Sequence, residues 1–168
     1  VFFGAADGKV YALNTGDGGL AWTHRTGAAV WNAPALHGGL LLVGSRDGRL
    51  YALEAATGRL RWSAETGAPL LNSPAVDAKR NRVYIGSESM RVHAFALADG
   101  RPLWRSEPLP GASLRGYHPV IAPDGAVMVT SQPVIGYDRF QNLLLEMVRE
   151  VFGDFASWRH NKEDNARL

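Results

Sequence analysis

The 168-residue chain has no cysteine, which excludes disulfides and thiolate metal ligands. It also has little net charge. Eighteen basic and sixteen acidic side chains leave +2, an excess too small to point to a nucleic-acid partner. No apolar run approaches the roughly 20 residues of a membrane-spanning helix, so the chain reads as not membrane-spanning. Nothing at the start resembles a basic segment followed by an apolar one. Val1 opens directly on what reads as a strand in the middle of a domain, so the sequence reads as part of a longer chain. Gly-x-Ser-x-Gly, Walker and Gly-x-Gly-x-x-Gly motifs are all missing. The five histidines, His24, His37, His93, His118 and His160, have no zinc-ligand spacing. On these grounds no catalytic residue and no metal site are assigned.

What the chain has is glycine, 19 residues of it, and an internal repeat. Phe3 to Leu13 lies over Val43 to Leu53 at an offset of 40. The register continues through Gly18 and Gly58, Trp22 and Trp62, Thr26-Gly27 and Thr66-Gly67, and Asn32-Ala33-Pro34-Ala35 and Asn72-Ser73-Pro74-Ala75. A third copy follows at an offset of 42, with Ile85-Gly86-Ser87, His93-Ala94-Phe95, Gly100 and Trp104 in matching places. Its two extra residues fit in the polar turn Ala78-Lys79-Arg80-Asn81. A fourth copy opens with Pro119 and Val127 to Ser131, then fails. The units are about 1–31, 32–71, 72–115 and a partial 116–131.

Each unit reads as four short strands. In the second they are Ala33 to Leu36, Leu41 to Ser45, Arg49 to Ala55 and Arg59 to Ala64. They are separated by His37-Gly38-Gly39, Asp47-Gly48 and Thr57-Gly58. An Asp-Gly pair between apolar runs is a hairpin signal, because the turn needs positive φ. Repeats of about 40 residues with four strands each indicate β-propeller blades. The expected fold is therefore all-β, an open arc of about three four-stranded antiparallel blades plus part of a fourth. Gly8 and Gly48 should hold left-handed turn positions; Met90 replaces them in the third unit, where the turn should change shape. Asp7, Asp17, Asp47 and Asp99 fall in turns, where a carboxylate can bond the local backbone.

No tryptophan here is followed by aspartate, as it would be in a WD40 blade. The pattern Gly-x-x-Asp-Gly-x-x-Tyr-Ala-Leu, then Thr-Gly-x-x-x-Trp, resembles the pyrroloquinoline-quinone (PQQ) repeat over Val1 to about Ser131. That family holds quinoprotein dehydrogenases and non-enzymatic assembly propellers of the outer membrane. The resemblance implies that Trp22, Trp62 and Trp104 dock between neighbouring blades. It also implies that the strand carrying the prolines is innermost, with a binding site at the channel mouth. The residues there are Trp31, Asn32, Asn72, Arg115 and His118, with Asn32, Asn72 and His118 read as equivalent positions in a polar ring. The family's calcium-and-quinone site with its cysteine pair has no match, so no cofactor is expected in this segment.

The tail, 132–168, breaks the pattern. Asp138 reads as an N-cap with Gln141 three residues on. Phe140, Leu144, Met147, Val151, Phe155 and Trp158 then fall on one helical stripe. A break is expected at Gly153-Asp154. The expectation is a helical insertion or tail whose stripe packs on the blades; a partner-binding helix is the alternative. A membrane-surface helix is disfavoured by Glu146, Glu150 and Asp154. The leading functional reading is a non-catalytic binding or assembly scaffold. It would meet a protein partner or small ligand, and the remaining blades of its parent chain, outside the cytoplasm, a location implied by the resemblance alone. The alternatives are part of a PQQ- and calcium-dependent alcohol or sugar dehydrogenase, and a sensor domain.

Overall fold

A computed structural model describes residues 1–116 and 118–132; the expected tail helix lies outside the described residues. Among the described residues thirteen strands form four antiparallel sheets in chain order. The first sheet has β1 (Phe2–Gly4), β2 (Lys9–Leu13) and β3 (Leu20–Arg25). The second has β4 (Ala35–His37), β5 (Leu40–Gly44), β6 (Arg49–Glu54) and β7 (Leu60–Glu65). The third repeats this arrangement with β8 (Ala75–Asp77), β9 (Arg82–Ser87), β10 (Arg91–Ala96) and β11 (Pro102–Arg105). The fourth sheet is the pair β12 (Val120–Ile121) and β13 (Val127–Met128). The first three sheets are meanders, the arrangement of a propeller blade. Strands β4, β8 and β12, the first of their sheets, approach one another across the sheets, which places them on the inner side.

The middle blades are apolar on both faces, as strands sandwiched between neighbours must be. Leu41, Val43, Tyr51 and Leu53 pack with Val10 and Val30 toward the first blade. Leu42, Leu50, Ala52, Trp62 and Ala64 pack with Val83, Ile85, Phe95 and Leu97 of the third. The period of two explains why consecutive residues serve opposite seams. The register of each outer hairpin shifts at the same place, after Ala12, Ala52 and Ala94. This repeated bulge sets Trp22, Trp62 and Trp104 opposite those alanines, leaving room for an indole over a methyl group.

Gly8 and Gly48 have φ of 80° and 83°, the left-handed conformation expected. At Met90 the expectation of a reshaped turn is wrong. Its φ is 58°, and its N–H donates to the Ser87 carbonyl as Gly8 does to Ala5 and Gly48 to Ser45. The flanking ladder, Arg91 to Ala96 against Arg82 to Ser87, holds the turn despite the β-carbon. The four turn aspartates each accept a backbone N–H two residues on, at 2.9–3.0 Å.

Candidate functional site

The repeated tryptophans serve the seams between blades. Trp22 Nε1–H donates to the Ala55 carbonyl of the next blade (3.0 Å), and Trp62 Nε1–H does the same to Leu97 (3.1 Å). Each ring lies over a turn glycine of that next blade. A β-carbon on Gly58 would strike the Trp22 ring, and one on Gly100 the Trp62 ring. Trp104 has the same place in its own blade and is tilted over Tyr84 at 5.7 Å, but remains 41% exposed. The repeat itself fails where its glycine would fall.

At the inner side, Asn32 and Asn72 are buried, 8% and 3% exposed. Asn32 Nδ2 donates to Gly44 O (3.0 Å) in its own blade and to Leu70 O (3.3 Å) in the segment leading to the next. Asn72 Nδ2 donates in turn to Leu114 O (3.3 Å). Two carbonyl acceptors around Asn32 Nδ2 fix its amide's orientation, and among the described residues Oδ1 of each asparagine has no protein partner. The close seat also explains Gly44 and Gly86, whose absent β-carbons would crowd those amides. His118 is exposed, whereas Asn32 and Asn72 are buried. Counted from the buried plugs Val30, Leu70 and Leu114, the position of Asn32 and Asn72 falls on Gly116.

Trp31 is also exposed, 48% accessible, and it has company. The Arg115 guanidinium lies 5.4 Å from its ring centre, and that of Arg46 lies 4.3 Å away. Trp31 leads into β4, Arg46 follows β5, and Arg115 lies in the segment leading to β12. The fold therefore gathers three distant residues at one point. Sequence reasoning named Trp31 and Arg115 but missed Arg46. Its counterparts in the other units, Ala6 and Glu88, give no repeat signal, and only tertiary packing brings it to the indole. Among the described residues neither arginine has an ion pair. Two uncompensated guanidiniums beside one aromatic face form a spot that attracts carboxylates and planar groups.

Among the described residues no three His, Asp or Glu side chains gather as metal ligands, and no helix is long and apolar enough to cross a membrane. A search of the curated proteins found no match. The chain is similar in structure to BamB from Moraxella catarrhalis, with 21% identity and a TM-score of 0.62; 76% of this chain covers 38% of that one. It is similar to a europium-containing methanol dehydrogenase, with 20% identity and a TM-score of 0.55 over 62% of this chain and 22% of that one. It is also similar to the computationally designed Ika4 protein, with 19% identity and a TM-score of 0.62 over 78% and 84%. At these identities the likeness shows the fold, and the chain spans well under half of the two natural proteins. The family model described as "Outer membrane protein assembly factor BamB" matches residues 1–141, so the chain belongs to this family of PQQ-like repeat β-propellers.

Proposed function

We propose that these blades act as a binding or assembly scaffold, outside the cytoplasm, and that recognition centres on Trp31 with Arg46 and Arg115. The observation that carries this reading is the convergence on one half-exposed indole of two guanidiniums that have no ion pair among the described residues. The buried Asn32, next in sequence, ties the segment leading into β4 to Gly44 and Leu70, giving the indole a rigid base. Such a spot suits a partner segment that brings a carboxylate together with a flat or apolar side chain. The family description, an assembly factor, agrees with a role in bringing proteins together.

The test is fluorescence anisotropy with a labelled acidic peptide containing one tyrosine. Arg46→Glu and Arg115→Glu should each weaken binding roughly tenfold and flatten its salt dependence. Trp31→Ala should weaken it at all salt concentrations. Binding unchanged by all three substitutions would remove the site from consideration.

A further inference from the structure

Residues common to every blade serve the fold, so a charged cluster found in one blade alone needs another reason. Glu54, the last residue of β6, is the centre of such a cluster. Its carboxylate accepts from Arg59 Nη2 (2.7 Å) and Nε (3.3 Å), from Arg61 Nη1 (3.0 Å) and from the Thr57 hydroxyl (2.9 Å). The places of Glu54, Arg59 and Arg61 hold Asn14, Gly19 and Ala21 in the first blade, and Ala96, Arg101 and Leu103 in the third. The donors on Glu54, Arg59 foremost, hold its carboxyl down to about 2, so it anchors both arginines at any ordinary pH. Two guanidiniums on one carboxylate leave one positive charge over. Arg61 spends only Nη1 on Glu54; among the described residues its Nε and Nη2, which form one edge of the fork, have no partner.

Arg61 lines a cavity of about 370 Å³ between the second and third blades. The cavity lies at the opposite ends of β4 and β5 from Trp31 and Arg46. Gly38 and Gly39, in the β4–β5 turn, line it too. Among the described residues neither glycine N–H has an acceptor, and a β-carbon on either would meet nothing within 4 Å. Across the seam Asn81, in the β8–β9 turn, lines it as well. Asn81 stands where the second blade has Gly39. Its carbonyl accepts the Leu97 N–H (3.0 Å) as that of Gly39 accepts the Ala55 N–H (2.9 Å). Glycine would make that bond equally well, yet Asn81 holds a side chain at φ 54°, a conformation that is costly for a β-carbon and is borne best by asparagine.

We propose that this cavity binds a phosphate group. Arg61 supplies the charge through its unspent edge, Gly38 and Gly39 supply backbone N–H groups, and Asn81 supplies its amide. The donors come from three separate elements, which suits a tetrahedral group with oxygens on several sides better than a flat carboxylate. Glu54 also lines the cavity, but four donors already occupy its carboxylate, and its part is to orient Arg61. Leu40 and Leu97 border room for a short carbon body, and the volume lies within the range of small-ligand pockets. The source is either inorganic phosphate or a small phosphate ester.

The full chain, labelled with ¹⁵N, is titrated with inorganic phosphate, glycerol phosphate, acetate and chloride at matched ionic strength. Saturating shifts of the Gly38 and Gly39 amides are expected with a phosphate probe, with a Kd on the order of millimolar, and none with chloride. Glycerol phosphate binding the tighter identifies an ester as the ligand; inorganic phosphate binding the tighter identifies the free ion. No saturation with either, an equal response to chloride, or acetate binding as tightly as phosphate overturns the proposal. Arg61→Met should weaken phosphate binding roughly tenfold. Asn81→Gly restores the residue of the earlier unit and keeps the turn, and it should weaken binding about threefold. Undiminished binding in either folded variant overturns the proposal.

Discussion

Met90 sits in a conformation that costs any side chain about 1–2 kcal/mol, at φ 58°, where its counterparts are glycine. Glycine gives back part of that gain through its freer unfolded chain. Met90→Gly should therefore stabilise the protein by about 1 kcal/mol net, read as a higher urea midpoint with unchanged m-value. His93 is a second residue whose neighbours fix its behaviour. Burial, helped by Arg105 and Arg91, pushes its imidazole down from 6.5 to about 4. The unfolded chain then takes up a proton near pH 6.5 that the folded chain refuses until about pH 4. Stability is complete above 6.5, falls as the pH drops through that window, and levels off below it, by up to about 3 kcal/mol. Urea titrations at pH 7 and 4.5 should show a larger loss for the native protein than for His93→Gln, which has no proton to gain. The turn aspartates were legible in the sequence because their bonds are local, two residues long. Arg46 was not, because its place at the indole depends on what a neighbouring blade brings to meet it.

At the scale of the element, the strands fall within about two residues of where alternation and turn glycines put them, β5 at Leu40–Gly44 and β7 at Leu60–Glu65 for instance. Apolar runs and left-handed turns are properties of the chain itself, so they can be read from it. The bulge opposite each tryptophan is a property of pairing and leaves no mark in a single strand. Its effect can be measured. Trp62, buried over Gly100, should cost about 3–5 kcal/mol as alanine. Trp104, half-exposed in the same position of its blade, should cost well under half as much. Chemical denaturation of both variants tests the contrast, and equal losses would mean that the ring's seat on the next blade is not what stabilises it.

For the whole molecule, the fold resembles both an assembly factor and a dehydrogenase, and the blades alone do not separate the two activities. The scaffold reading predicts that adding pyrroloquinoline quinone and calcium to this chain gives no dye-linked alcohol oxidation above a no-protein control.

The seat of each indole on the next blade's glycine also has a direction, and direction has a consequence for counting. Trp22 is used by the second blade and Trp62 by the third, which leaves Trp104 over at one end of the described row. At the other end, nothing among the described residues stands within 4 Å of where a Gly18 β-carbon would be, although Gly18 matches Gly58 and Gly100. A key and a lock therefore remain, on opposite flanks and complementary to each other. Lengthening such a row by one more blade fills the old lock or covers the old key and presents a new one, so the number left over never changes. Growth can only relocate the mismatch; circularity alone abolishes it.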